Sequence, residues 1–412
     1  MNKVKLSSII DIISGGTPKT DVKQFWEKGT IGWLSVTDFN NDLRYVYSTE
    51  KQITDEGLKN SNTKLLNKGD IIISARGTVG ALAQIGTPMC FNQSCFGLRG
   101  KRGIVETDFL YYALKNYVHN IKKRSQGSVF DTINLNSFDL MEIEIPKELS
   151  TQQKIASVLS ALDAKIELNN RINAELEAMA KTLYDYWFVQ FDFPIYNQDG
   201  TLSGAEGYKT SGGTLVWNEE LKREIPEGWE VKNLQEIAKC IMGQSPKGES
   251  YNQNGIGTPL LNGPADYENG ALKGRTFTTE PTRLCQKNDL VLCIRATIGN
   301  LVYSEQEFCL GRGVAAVRAN DKRLSELIYF LLIQEIERFK VQATGSIIVG
   351  ITKDDLIESK CLIAKDDIIH SFHSQIKPQF DKIRINKKEN QKLTELRDWL
   401  LPMLMNGQVK VN

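Results

Sequence analysis

The sequence predicts an α/β (α+β) chain: two globular parts with mixed sheets, separated by an antiparallel pair of long helices with pseudo-two-fold symmetry. Three observations carry this. The chain repeats itself at an offset near 218, each copy opens with short β-rich runs and helical patterns, and each copy closes with a long amphipathic stretch. The 412 residues exceed what one core normally holds. With 41% hydrophobic and 25% charged residues, composition excludes a disordered chain. No apolar run is long enough to span a membrane, and Met1 to Ser7 lacks the apolar core of a signal peptide. Seven cysteines, an odd number without C-x-x-C, point to a reducing cytoplasm rather than to zinc or a redox pair. His370 and His373 share one helix face but have no further ligand nearby in sequence, so no metal is expected.

The repeat is read from ordered matches. Gly69-Asp70-Ile71-Ile72-Ile73-Ser74-Ala75-Arg76-Gly77-Thr78 resembles Asn288-Asp289-Leu290-Val291-Leu292-Cys293-Ile294-Arg295-Ala296-Thr297. Gln126-Gly127-Ser128 matches Thr344-Gly345-Ser346, and Lys165 to Asn169 matches Lys382 to Asn386. Order is kept and the offset barely drifts, so one unit has been duplicated. Within each copy, β-rich runs such as Ile71 to Ser74, Leu290 to Ile294 and Val314 to Arg318 are bounded by Gly, Asn and Pro. Helical patterns lie at Asp108 to Val118 and Ser325 to Phe339. Gly15-Gly16-Thr17-Pro18-Lys19 and Gly243-Gln244-Ser245-Pro246-Lys247 are matched early loops. The expected division is residues 1–150 and 232–365 as globular parts, 151–189 and 366–412 as long helices, and 190–231 as a linker.

From Gln152 to about Trp187, apolar residues recur at spacings of three and four, as they do from about Asp366 to Met405. Pro378 predicts a kink, or a helix start nearer Lys377, and Pro402 a second kink. Each stripe carries an Asn pair at i, i+4: Asn169 with Asn173, and Asn386 with Asn390. Buried Asn is costly and is used to fix register. An antiparallel register pairing Asn169 with Asn390 and Asn173 with Asn386 also pairs Leu159 with Leu400, Leu176 with Ile383 and Trp187 with Phe372. It sets Leu162 against Arg397, a weak spot. The alternative is that each helix packs only on its own globular part. Two-fold related units roughly 34 Å apart would suit duplex DNA, whose major groove recurs at that interval.

The whole chain resembles the specificity subunits of type I restriction-modification enzymes. The likeness is carried by Phe191-Asp192-Phe193-Pro194, by Gly207-Tyr208-Lys209-Thr210-Ser211-Gly212-Gly213, by the Ile225-Pro226-Glu227-Gly228-Trp229 entry to the second copy, and by the two helical repeats. The first copy lacks such an entry and begins at Val4-Lys5-Leu6. The resemblance implies that each globular part is a target recognition domain reading one half of a split double-stranded DNA target, and that the helices dock two methyltransferase (modification) subunits. It also implies restriction subunits in the full complex. Adenine N6 methylation with S-adenosylmethionine, and the use of ATP and Mg, would belong to those partners, and this chain would bind no cofactor itself.

The residues agree with a non-catalytic chain. There is no phosphate-binding loop, no G-x-G-x-x-G, no Asn-Pro-Pro-aromatic motif, and no nucleophile with a plausible base. A fused methyltransferase is therefore disfavoured. A helical scaffold joining two protein partners without reading DNA is the competing reading. The globular parts are nearly neutral, with 19 basic and 16 acidic residues in 1–148 and 17 and 15 in 232–365, so any grip on phosphate must be local. Lys122, Lys123 and Arg124 form the densest basic cluster, as a phosphate clamp or as a solvated helix end. Arg76 and Arg295 occupy matched positions. Residues kept by both copies cannot explain two different half-sites, so a phosphate or structural role is favoured for them. Base readers should sit where the copies differ: Lys19, Thr20, Lys23, Asn92 and Gln93 in the first copy, and Gln244, Lys247, Tyr251, Asn252, Arg275 and Arg312 in the second.

Overall fold

The structure is a computed structural model. It describes the chain apart from Met1, residues 125–131, 194–208, 211–213, 269, 296–297, 344–349 and Asn412, and apart from the side chains of 122–124, 209–210 and 342–343. Outside the described residues lie Gln126-Gly127-Ser128, Thr344-Gly345-Ser346, Pro194, Gly207, Tyr208, Ser211 to Gly213, Ala296, Thr297 and the side chains of Lys122, Lys123 and Arg124. The chain forms two compact units, residues 1–170 with 388–412 and residues 171–387. The division falls inside both long helices, which span Leu149–Tyr184 and Asp366–Met405.

Unit 1 is built on a five-stranded sheet. Strand Ile71–Ser74 lies between Cys95–Gly100 and Leu82–Ile85, with Ile10–Ser14 at one edge and Tyr45–Val46 at the other. All four residues of Ile71–Ser74 are buried because the strand is covered on both faces. Ile71 and Ile73 pack with Phe109 and Leu110 of helix Thr107–Arg124, while Ile72 packs with Leu34, Phe39 and Phe91 beneath a second sheet. That sheet holds Ile31–Leu34 parallel to Cys90–Phe91. Asn2–Lys5 pairs with Glu142–Ile145, whose alternation leaves Glu142 and Glu144 exposed and Ile143 and Ile145 buried.

Unit 2 repeats the plan. Leu290–Cys293 lies between Val314–Ala319 and Leu301–Tyr303, with Ala238–Met242 at the edge. Thr258–Leu261 runs parallel to Phe308–Leu310, and Glu230–Asn233 pairs with Lys360–Ile363. The duplication extends to single side chains. Asp70 accepts from Arg99 Nε at 2.7 Å and Asp289 from Arg318 Nε at 2.7 Å, each a two-pronged pair 219 residues from its counterpart. The turn before each strand needs a left-handed residue, met by Gly69 (φ +91°) and Asn288 (φ +72°).

The segment between the copies is more than a linker. It carries a hairpin, Leu215–Asn218 with Arg223–Pro226, and the strand pair Asp192–Phe193 with Lys209–Thr210. Trp229 is buried against Phe188, Phe191 and Phe193, which gives the Ile-Pro-Glu-Gly-Trp entry its anchor. Pro378 does not start the C-terminal helix. The helix begins at Asp366 and runs through Pro378 and Pro402. Pro378 and Ser374, whose carbonyl loses its helical donor, are both exposed, so water can replace that bond. Among the described residues no helix is long and apolar enough to cross a membrane. No group of three potential metal ligands occurs among them either. His373 instead meets Glu326, Nδ1 to Oε2 at 2.7 Å.

Candidate nucleic-acid interface

In unit 1 the early loop folds against the turn Asn92 to Ser94. Gly16 N donates to Phe91 O at 3.0 Å, and the Thr17 hydroxyl meets Gln93 Oε1. Two indoles hold the loop from beneath: Trp33 Nε1 donates to Gly16 O and Trp26 Nε1 to Lys19 O, each at 3.0 Å. The two rings meet edge to face, 5.1 Å apart. With its carbonyls tied down, the loop leaves Lys19, Thr20 and Lys23 exposed, Lys23 at 3.8 Å from Glu27. A cleft of about 440 Å³ beside it brings Arg76 and Gln93 together with Asn134, Leu135 and Asn136. Asn92 is partly spent, since its Oδ1 accepts from Ser94 N at 3.0 Å.

Unit 2 makes the same loop pairing with different chemistry. Gly243 N donates to Val314 O at 3.0 Å and Gln244 N to Leu310 O at 2.8 Å. Hydroxyls replace the indoles. Thr282 donates to Gln244 O, Tyr251 OH to Pro246 O at 3.3 Å, and Ser250 Oγ to Lys247 O at 2.7 Å. Arg312 N donates to Ser245 Oγ at 3.4 Å, so Gln244, Lys247 and Arg312 lie on one loop pair with exposed side chains. Tyr251 supports this pair through its hydroxyl. The Asn252 side chain closes its own turn, donating to Ile256 O at 2.8 Å and accepting from Asn254 N and Ile256 N. Arg275 lies 3.6 Å from Glu268. Arg76 and Arg295 are exposed, and each follows a buried strand end. Sequence reasoning missed Trp26, Trp33, Thr17, Asn134, Asn136, Ser245 and Thr282. Trp33, Ser245 and Thr282 act through backbone contacts to residues distant in the chain.

The long helices supply the other constellation. Within unit 1, Asn169 Nδ2 donates to Asn390 Oδ1 at 2.9 Å and to Glu389 Oε2 at 2.7 Å. Within unit 2, Asn386 Nδ2 donates to Asn173 Oδ1 at 2.8 Å, and Trp187 packs on Phe372 with centroids 5.6 Å apart. Both amide pairs have residue numbers summing to 559, which makes the helices antiparallel. The expected weakness at Arg397 is corrected. Its partner is Asp163, Nη1 to Oδ1 at 2.8 Å, and both are buried. The guanidinium is held charged against the cost of burial by Asp163 and Asp398.

Comparison with known proteins fits this architecture. Residues 1–178 and 226–395 match the type I restriction modification DNA specificity domain, so both copies are covered. The chain is 29% identical to the type I restriction enzyme MjaIX specificity subunit of Methanocaldococcus jannaschii, over 99% of this chain and 93% of that protein. It is 25% identical to the HindI specificity subunit of Haemophilus influenzae, over 69% and 72% of the two chains. The crystal structure of the type I restriction-modification S subunit from M. genitalium shares the fold, with TM-score 0.58 and 18% identity over 98% of this chain and 95% of that one. Two copies of one specificity unit, each ending in a long helix, place this chain in the family of type I restriction-modification DNA specificity subunits.

Proposed function

We propose that the chain reads a two-part duplex DNA target, one part with each unit, and docks two methyltransferase subunits on its long helices. The observation that supports this is the loop pair built twice on one sheet plan: 15–20 with 92–94, and 243–247 with 311–313. The scaffold is shared while the exposed side chains differ, Lys19, Thr20 and Gln93 against Gln244, Lys247 and Arg312. Shared architecture positions a protein on the duplex, and differing side chains select bases. Gln and Asn offer a donor and acceptor that match adenine, and Arg matches guanine. Arg76 and Arg295, common to both copies, serve phosphate or structure.

In this reading the chain supplies specificity and its partners supply chemistry. S-adenosylmethionine, ATP and Mg are bound by the modification and restriction subunits. Mapping methylated adenine genome-wide, with and without this gene, tests the reading. Modification should vanish at a split motif when the gene is removed, and exchanging residues 243–247 and 311–313 for those of a relative should change only one half of that motif. Methylation by the isolated chain, or an unchanged motif after removal, overturns it.

A further inference from the structure

In unit 2 the edge strand Ala238–Met242 borders a groove of about 370 Å³ that no sequence motif marks. Lys239, Arg283 and Lys353 line it, and no carboxylate does. All three cations are exposed, and among the described residues none makes an ion pair. Elsewhere in the unit, Arg318, Arg323 and Lys360 are each bound to a carboxylate. Of the carboxylates adjoining the groove residues in sequence, Glu236 accepts from Asn233 N at 2.8 Å and Asp355 from Thr352 N at 2.8 Å, while Glu280 and Asp354 are exposed and do not line the groove. Gathering like charges around one concavity without a counter-charge is unfavourable, and it raises the local concentration of anions.

The groove is continuous with the loop pair. Thr282, on its wall, donates to Gln244 O, and Leu310 N donates to Arg283 O at 2.8 Å. Arg283 is therefore stitched to the same backbone that carries Gln244 and Arg312. The cleft of unit 1, at largely different positions of the repeat, is lined by one cation, Arg76, and by the amides of Gln93, Asn134 and Asn136.

We propose that the groove of unit 2 binds the phosphodiester backbone of duplex DNA, with Lys239, Arg283 and Lys353 as phosphate contacts. This rests on the DNA-specificity reading above and adds where one unit grips the strand. Phosphate contacts set register without selecting sequence, so the groove would hold the duplex while the adjoining loop reads it.

The test uses the chain assembled with its modification subunits, and duplexes with and without the target motif. Binding is measured between about 50 and 200 mM salt, where each phosphate contact contributes about 0.9 to the slope of log affinity against log salt. The K239Q/R283Q/K353Q variant should flatten the slope by about 2.7 on both duplexes. Each single substitution should flatten it by about 0.9, which keeps the test valid if the triple variant folds poorly. Lys287→Gln, exposed and outside the groove, should leave the slope unmoved. An unchanged slope in the three single variants overturns the proposal. So does failure of the variants to assemble with the modification subunits, which would make the groove a seat for an acidic peptide. If the unaltered complex shows no preference between the duplexes, the specificity reading falls as well.

Discussion

In unit 1 the long helices meet the globular part through charge, and in unit 2 the matched positions are aromatic. Asp163 accepts from Tyr112 OH at 2.5 Å and from Arg397 at 2.8 Å. Arg44, buried, donates to Gln84 at 2.6 Å and Ser160 at 2.5 Å, and pairs with the half-exposed Asp108 at 2.8 Å. At the matched positions of unit 2, Phe380 stands for Asp163, Phe330 for Tyr112 and Tyr303 for Gln84. Phe380 packs edge to face on Tyr303, Tyr329 and Phe330, with centroids 5.8, 5.0 and 5.9 Å away. One backbone plan therefore tolerates two chemistries at its seam. The aromatic seam gains from apolar burial. The ionic seam gains little net free energy, because desolvation offsets attraction, but each charge accepts only one arrangement of partners.

The largest expected effect comes from breaking either seam on one side. Asp163→Ala takes away the buried partner of Arg397, leaving it Asp398 alone, and the acceptor of the Tyr112 hydroxyl, and should cost about 3–5 kcal/mol in urea denaturation. Phe380→Ala empties the aromatic seam and should cost about 3–5 kcal/mol as well. A loss below 1 kcal/mol for Asp163→Ala would mean that the buried pair is solvated. The amide pairs come next. A double-mutant cycle on Asn169→Ala and Asn390→Ala should give a coupling of about 1 kcal/mol, whereas strictly additive losses would contradict their contact. Converting seam 1 toward seam 2 sharpens the comparison further. The D163F/Y112F/R397A variant removes donors and acceptor together, and should lie within about 1 kcal/mol of the unaltered chain. If it is as unstable as Asp163→Ala, the ionic seam is a source of net stability after all.

A further effect is alkaline. Burial pushes Tyr329 up to about 12 and raises Tyr111, Tyr112, Tyr184 and Tyr303 above their ordinary value. A folded-state pKa above the unfolded value of about 10 favours the neutral phenol in the fold. The associated stability is fully present below about pH 10 and is lost as pH rises toward 12. Denaturation midpoints measured from pH 8 to 11.5 should fall gently above about pH 9, where burial holds the thiols of Cys90, Cys95, Cys240, Cys285 and Cys361 protonated in the fold, and more steeply above about pH 10, and Tyr329→Phe should soften only the steep part. A decline beginning near pH 8 would point to other groups.

Much of the architecture was legible because its signals are local. The runs around Ile71 and Leu290 read as buried strands, and both long helices read from their three-and-four spacing. The Asn pairs named a register because i, i+4 amides on an apolar stripe have few arrangements that also align the aliphatic residues. The helix start at Asp366 was legible, and the alternative start nearer Lys377 was not needed, because the general penalty for proline is relieved at Pro378 by an exposed position. The candidate interface was legible only as loops. Lys19, Gln93, Gln244 and Arg312 stood out as polar residues at points of difference, but nothing local distinguished them from Asn252, whose amide is spent inside its own turn.

The sequence by itself determined the duplication, the strand and helix periods, and the antiparallel amide register, since each is a pattern over neighbouring residues. The tertiary structure decided which side chains meet. Arg397 finds Asp163 from 234 residues away, Arg44 finds Ser160 from 116, and the Lys239, Arg283 and Lys353 groove assembles from three separate segments. Charge and hydrogen bonding act on distances in space. A chain of near-zero net charge can therefore hold both a closed ionic seam and an open cationic groove, and composition registers neither.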